Sequence, residues 1–225
     1  MELVQVCNKR KVPTIVLKLD FAKAFDTVNW AALMSIMVAR GFNTKWCQWV
    51  LAMLSTSKFA VLVNGCPGPW IQCKRGLRQG DPMSPYLFLL VADVLQTLIK
   101  ADAGVRHPIT EDGTCAVLQY ADDTLIVCRG GVADVTRLRV LLDQFADATG
   151  LKINYSKRTA VPMHVPNTVL PQCIAALGCR EEGFPQTYLG LPLSHSKLKL
   201  STFAPYIAKA DRYLAGWQAT LLNPM

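Results

Sequence analysis

The order of apolar and polar positions along the chain predicts a mixed α+β fold. An apolar run from Thr14 to Leu19 ends at Asp20 and is typical of a buried strand, and the residues through Asp26 predict a turn or short helix. Two core-facing helices follow, the second after a candidate cap at Thr44. Their apolar positions are Trp30, Leu33, Met34, Met37 and Val38, then Trp46, Trp49, Val50, Met53 and Leu54.

The middle of the chain predicts a hairpin, a loop and a long helix. Lys58 to Val63 and Trp70 to Lys74 flank Asn64-Gly65, a common hairpin signal, and we expect a wide turn between them. A basic, turn-rich loop over 74–85 precedes a helix with one apolar stripe. The stripe consists of Leu87, Leu90, Val91, Val94, Leu95 and Leu98.

Two consecutive carboxylates, Asp122 and Asp123, lie where the apolar strands of a second hairpin meet. Like charges this close raise one pKa and destabilise the fold unless a cation neutralises them, so a metal site is one interpretation. The other interpretation is that aspartate is simply a good turn residue.

Helical spacing then predicts a helix that ends at Gly150 in a left-handed cap. Tyr188 to Leu193 predicts a small hairpin, and a last helix runs from roughly Thr202 to Leu222. This order fits an α+β sheet with helices on one face, close to a split βαβ arrangement. The first strand could then lie beside the second hairpin and bring Asp20 to Asp122 and Asp123.

Composition restricts the classes of protein to which this chain can belong. The 225 residues are 51% hydrophobic and 18% charged, which excludes a disordered chain. The net charge of +8 favours a polyanionic partner such as nucleic acid, although a merely basic soluble surface gives the same value. No apolar stretch approaches the ~20 residues of a membrane span.

The eight cysteines contain no Cys-x-x-Cys pair and no histidine at zinc-finger spacing, which argues against zinc. Because no signal segment opens the chain, we expect reduced thiols, no membrane and a nuclear or cytoplasmic location.

Five segments in this order together resemble the reverse transcriptase of plant non-LTR, LINE-type retroelements. They are Leu17 to Asp26 (LKLDFAKAFD), Gly76 to Pro85 (GLRQGDPMSP), Tyr120 to Asp123 (YADD), Gly150 to Asn154 (GLKIN) and Tyr188 to Gly190 (YLG). An organellar intron maturase is a related possibility that the first and last segments fit less well.

The resemblance implies a polymerase palm with an antiparallel, ferredoxin-like sheet and a C-terminal thumb-like helix. Asp20, Asp122, Asp123 and the backbone carbonyl of Phe21 would hold two Mg²⁺ ions, with Mn²⁺ as a substitute. For Asp20, a helix cap is the structural alternative.

The resemblance also assigns the nucleotide contacts. The ring of Phe25 would exclude a 2′-hydroxyl and so select deoxynucleotides, although ordinary core packing also explains it. Arg78, Gln79 and Gly80 would contact the incoming nucleotide, and Gly76 and Gly80 would let backbone approach the substrate. A plain turn is the alternative for this loop.

By the same resemblance, Lys157 or, second, Lys152 would stabilise the leaving pyrophosphate, although a solvated surface lysine is an equal alternative. Tyr188, Leu189 and Gly190 would form a primer grip. Basic residues after it would contact the duplex backbone, independently of sequence. These are Lys197, Lys199, Lys209 and Arg212. Three further acidic residues, Asp26, Asp81 and Asp93, are assigned structural roles.

We therefore expect residues 1–183 to form the palm and residues 184–225 the primer-grip hairpin and the start of a thumb. The partners would be an RNA template, a DNA primer and deoxynucleoside triphosphates. A fingers region, an endonuclease and an RNase H domain are expected to lie outside this fragment, and loss of the fingers should cost several orders of magnitude in rate. The alternatives are a catalytically inactive nucleic-acid-binding remnant and an inert, aggregation-prone product.

Overall fold

The computed structural model describes residues 2–110, 115–154 and 158–221, with side chains to Leu214. The elements in chain order are α1 (Glu2–Lys9), β1 (Thr14–Leu19), α2 (Ala24–Thr27), α3 (Trp30–Ala39), α4 (Thr44–Ser55), β2 (Lys58–Phe59), β3 (Leu62–Val63), β4 (Cys66–Pro67), β5 (Ile71–Gln72), α5 (Ser84–Ala101), β6 (Ala116–Tyr120), β7 (Asp123–Arg129), α6 (Val132–Thr149), β8 (Thr159–Met163), α7 (Leu170–Leu177), β9 (Arg180–Glu181), β10 (Gln186–Tyr188), β11 (Leu191–Leu193), a 3-10 turn (Leu200–Phe203) and α8 (Ala204–Leu221).

A five-stranded sheet in the order β6-β7-β1-β8-β9 carries the predicted aspartates. Strand β1 lies between β7 and β8 and is antiparallel to both, while the short β9 runs parallel to β8. In the β1–β7 pair, Thr14 lies opposite Arg129 and Leu19 opposite Thr124. The prediction that the first strand lies beside the Asp122–Asp123 hairpin is confirmed.

Alternation along β1 divides its side chains between two cores. Ile15, Leu17 and Leu19 are fully buried in the main core, to which α3, α4, α5, α6 and α7 all contribute. Val16 points to a second core on the other face, which includes Cys7 of α1. The main helices therefore cover one face as predicted, and α1 with the β10–β11 hairpin adds an unpredicted layer on the other.

Helix α4 packs by a different face from the one that its aromatic residues suggested. Trp46 and Trp49 are 40% and 57% exposed. The buried side chains are Cys47, Val50 and Leu54. The prediction of a core-facing tryptophan pair is wrong, and the cap is Asn43, whose side chain accepts from the Lys45 N–H at 2.8 Å.

The first predicted hairpin is present as two nested ladders, β2 with β5 and β3 with β4. Asn64 (φ 50°) and Gly65 (φ 81°) form a tight two-residue turn rather than a wide one. The apolar residues of this hairpin are exposed to solvent, with Leu62 69% and Trp70 65% exposed. This exposure is the feature that an aggregation-prone product would require.

Helix α5 is the single helix among the described residues whose length and composition would allow it to cross a membrane, with a mean hydropathy of 1.3. Phe88, Val91 and Leu95 of this helix are buried in the main core, as expected of the central helix of a sheet-based domain. It is therefore weak evidence for a membrane span.

Candidate active site

Asp20 is placed by two segments that are remote in sequence. It follows β1 directly, and residues after the Gly150 cap of α6 run beside it. The backbone N–H of Asn154 donates to the Asp20 carbonyl at 2.8 Å, and the Asn154 Nδ2 donates to the Asp20 carboxylate at 3.2 Å. A further backbone bond, from the Ala22 N–H to the Lys152 carbonyl at 2.8 Å, fixes the same junction.

Asn154 is a site residue to which sequence reasoning gave no role. It belongs to the Gly150–Asn154 segment that carried part of the resemblance, and an amide beside a catalytic-type carboxylate orients it by hydrogen bonding. The signal was its position at the end of that motif, but only the fold brings it against Asp20.

The second hairpin turns at the carboxylates. Ala121, with φ 53°, and Asp122 are the two turn residues, and Asp123 pairs with Tyr120 as the first residue of β7. Continuing the β1–β7 register by one position places Asp20 opposite Asp123. Turn geometry therefore lets neighbouring aspartates approach Asp20.

Asp20 and Asp122 line one cleft of about 500 Å³. Phe21, Phe25, Gln79 and Asn154 are among its other lining residues. Asp123 is not among the lining residues. It lies near Tyr188, where burial of the phenol first and the charge of Asp123 second raise the pKa of Tyr188. The structure thus places Asp20 and Asp122 at the cleft, with Asp123 next to it.

The donor types suit a hard cation. Carboxylate and carbonyl oxygens are the ligands that Mg²⁺ prefers, and Phe21 follows Asp20 in the cleft wall. Over residues 2–110, 115–154 and 158–221, no three acidic, histidine or cysteine side chains converge closely enough to enclose an ion. The donor set therefore fits a divalent ion. The described side chains do not enclose one, as expected of carboxylates that repel each other when no cation neutralises them.

Phe25 and Gln79 both line this cleft. The Phe25 ring stacks on Phe88 with centroids 4.9 Å apart and planes 14° apart, so packing and a substrate contact are both open to it. Gln79 Nε2 donates to the Asp26 carboxylate at 3.4 Å. The loop is held to α2 by the Leu77 N–H, which donates to the Phe25 carbonyl at 2.6 Å.

The two loop glycines differ in what surrounds them. A Cβ on Gly76, where φ is 87°, would lie 2.6 Å from the Asp26 carbonyl oxygen, so this glycine is required by close packing of loop on helix. Gly80 has the same φ and open space around it. Arg78 is exposed and is not among the residues that line the cleft.

The Tyr188–Gly190 segment forms the predicted hairpin turn, with Leu189 at φ 50° and Gly190 at φ 76°. Lys157 lies outside the described residues, so its predicted role is not addressed. The four basic residues after the hairpin are all exposed. They are Lys197, Lys199, Lys209 and Arg212.

Three aspartates that were assigned structural roles have local partners. The Asp81 carboxylate accepts from the Met83 N–H at 2.8 Å, and Asp26 accepts from Gln79 as described above. Asp93 forms an ion pair with Arg40.

Comparison with known families gives one match over most of the chain. Residues 1–193 match the family described as "Reverse transcriptase (RNA-dependent DNA polymerase)". Similar proteins include a retrovirus-related Pol polyprotein from a type-1 retrotransposable element R2 of Popillia japonica, 31% identical over 155 residues, or 68% of this chain and 21% of that protein. The corresponding R2 protein of Nasonia vitripennis is 28% identical over 185 residues, covering 77% and 18%.

Among solved structures, telomerase from Candida tropicalis in complex with a TWJ fragment of telomeric RNA has a similar fold, with a TM-score of 0.53 and 13% identity. The match covers 72% of this chain and 28% of that one. The chain spans about a fifth of the length of the curated relatives that it matches.

Proposed function

Because this chain belongs to the reverse transcriptase (RNA-dependent DNA polymerase) family, we propose that it is the palm of a polymerase that extends a primer 3′-hydroxyl on an RNA template. The predicted resemblance to non-LTR retrotransposon reverse transcriptases is confirmed, as is the α+β polymerase-palm fold. A plant origin stays a prediction. The observation that carries the proposal is the cleft shared by Asp20 and Asp122, which are remote in sequence.

Reverse transcriptases generally use divalent metal ions. In this chain, Asp20, Asp122, Asp123 and the Phe21 carbonyl would hold two Mg²⁺, with Mn²⁺ as a substitute. When bound, the ions would lower the pKa of the primer hydroxyl and neutralise negative charge at the reacting phosphate.

The protein's own groups would position the substrates. The Phe25 ring lines the cleft beside Asp20 and would face the nucleotide sugar, where it excludes a 2′-hydroxyl. Gln79 would contact the nucleotide from the opposite loop, with Arg78 and Gly80 next to it. Asn154 orients the Asp20 carboxylate, and Lys157 would stabilise the departing pyrophosphate.

The partners would be an RNA template, a DNA primer and deoxynucleoside triphosphates. Residues 1–183 would form the palm, and residues 184–225 would contribute the primer grip, formed by Tyr188 to Gly190, and the first helix of a thumb. The exposed basic residues of that segment would contact phosphates, so this part of the binding should weaken with salt.

The test is primer extension on an RNA template with Mg²⁺, comparing the chain with Asp122→Asn/Asp123→Asn. Extension should fall at least about a hundredfold, because the carboxylates that hold the ions are lost. Asp147→Asn, at an exposed position of α6, removes an equal charge far along the chain from the motif and should leave extension unchanged. Extension that survives the double substitution would rule out the mechanism.

A binding protein without catalysis is the second candidate, favoured by the net charge of +8. It predicts salt-dependent binding to an RNA·DNA duplex that the aspartate substitutions barely change, with no extension by the unsubstituted chain. Absence of duplex binding at low salt would exclude it.

A further inference from the structure

Lys18 is an unusual residue for the central strand of the sheet. It lies in β1, with Leu125 of β7 and Thr159 of β8 as its neighbours in register. Strand alternation places it on the same face as Asp20, and it is only half-buried while most of the strand is buried. Its ammonium reaches the exposed edge of this face, where it makes one bond across the fold.

The partner of Lys18 lies in the β10–β11 hairpin. The Lys18 ammonium donates to the backbone carbonyl of Thr187 at 2.8 Å, across 169 positions of sequence. Over the described residues, this is the only side-chain hydrogen bond recorded to the segment from Thr187 to Leu191. The bond joins the strand that leads into Asp20 to the residue that precedes Tyr188.

Apolar packing also holds the hairpin against the sheet. Leu193, 9% exposed, packs in the second core with Val16 and Leu125, and this fixes the base of β11. The turn is uncovered, with Leu189 45% exposed. Tyr188 of β10 packs against the same core. The Lys18 bond to the neighbouring Thr187 carbonyl therefore adds a polar attachment directly before the turn.

We propose that Lys18 is a positioning residue that holds the β10–β11 hairpin against the catalytic strand. The inference rests on the proposed function in one respect: the hairpin it holds is the one that would contact the primer end. Its action is indirect, through the Thr187 carbonyl.

Hydrogen exchange of the peptide spanning residues 186–193 tests the attachment without any need for activity. In Lys18→Met, which keeps the aliphatic length and removes the donor, exchange of this peptide should be about tenfold faster, as expected for loss of one charge-assisted hydrogen bond. Lys18→Arg retains a donor and should restore most of the protection. Lys100→Met, at an exposed position of α5, serves as the matched control and should change nothing.

Steady-state kinetics give the second measurement. The KM for primer–template should rise about tenfold in Lys18→Met. The KM for the nucleotide should change little, because the nucleotide contacts come from Phe25 and the loop around Gln79. A purely structural role for Lys18 would lower the thermal midpoint without separating the two KM values.

Hairpin exchange that is unchanged in Lys18→Met, or equally accelerated in Lys18→Arg, would overturn the proposal. Accelerated exchange together with an unsubstituted chain that extends no primer would support the attachment and refute the polymerase function, so the two failures are distinguishable. Should Met disturb the fold, Lys18→Gln removes the charge and shortens the reach with a polar side chain, and the same exchange comparison decides.

Discussion

Substitution of Gly150 should be costly because this residue combines a left-handed backbone with a backbone contact. Gly150 ends α6 at φ 81°, and a Cβ there would lie 2.4 Å from the carbonyl oxygen of Thr27. A left-handed conformation costs an alanine about 1 kcal/mol. Forcing a methyl group against rigid backbone costs about 2 kcal/mol more. Gly150→Ala should therefore lower the free energy of unfolding by about 3 kcal/mol.

Gly41→Ala measures the conformational cost without the backbone contact. Gly41 has φ 83° and no atom within 4 Å of the added Cβ, so this variant should lose only about 1 kcal/mol. The effect of an added Cβ on the unfolded chain is common to both variants and cancels in the difference. Urea unfolding with unchanged slopes measures both free energies.

The same substitution should also disturb the site. The Asn29 N–H donates to the Thr149 carbonyl at 2.9 Å, and the chain after Gly150 leads to the Asn154 bond with Asp20. Primer extension by Gly150→Ala should therefore fall further than its folded fraction accounts for. Equal losses of stability in the Gly150 and Gly41 variants would refute the reasoning.

Three other outcomes follow from the structure. Arg106→Ala should cost about 1.5–3 kcal/mol in urea unfolding, because the fully buried Asp134 carboxylate loses the guanidinium that contacts it at 2.7 Å and keeps the backbone N–H at 3.1 Å. Phe25→Val should raise ribonucleotide incorporation relative to deoxynucleotide about tenfold or more in extension assays, because the smaller side chain admits a 2′-hydroxyl. Burial raises the pKa of Cys115 from 9.0 to about 12, so its thiol should resist alkylation in the folded chain at pH 9. Since the unfolded chain loses this proton at a lower pH, the contribution of Cys115 to stability should fall as pH rises from 9 toward 12.

Matched residues serve as controls for these variants. Arg137→Ala breaks an ion pair with Asp102, in which the two side chains are 46% and 13% exposed, and should destabilise the fold less than Arg106→Ala does. Cys66 is exposed and should be alkylated readily under the conditions that spare Cys115. Equal losses in the two arginine variants, equal alkylation of the two cysteines or an unchanged sugar preference would each contradict the corresponding prediction.

Local chemistry made the elements around the site predictable. The apolar run of β1 matches its prediction at both ends, Thr14 and Leu19. The Asp122–Asp123 turn and the left-handed cap at Gly150 are determined by residues within the segments themselves, so a sequence pattern suffices.

The side chains that each helix buries were less predictable from the sequence. In α4, Val50 belongs both to a stripe with Trp46 and Trp49 and to one with Cys47 and Leu54, and helical spacing cannot choose between them. The fold buries the smaller side chains and leaves the tryptophans exposed. The layer formed by α1 was also missed, since eight residues with Val4 and Cys7 buried give only a short periodic signal.

The candidate site also combines features that local sequence predicts with features that depend on tertiary packing. The motifs predicted that Asp20, Asp122, Phe25 and Gln79 would meet, and they line one cleft. The proximity of Asp123 to Tyr188 depends on the long-range placement of the β10–β11 hairpin, which no local pattern specifies. The bonds made by Asn154 and Lys18 depend on tertiary packing in the same way.

Binding of Mn²⁺, followed by electron paramagnetic resonance, tests most directly whether Asp20, Asp122 and Asp123 act as one cation site. The account predicts saturable binding to the unsubstituted chain that Asp20→Asn and Asp122→Asn each weaken by at least about tenfold, with Asp147→Asn unchanged. Binding that is lost in Asp122→Asn but retained in full by Asp20→Asn would contradict it, because the carboxylate that follows β1 would then take no part in the site.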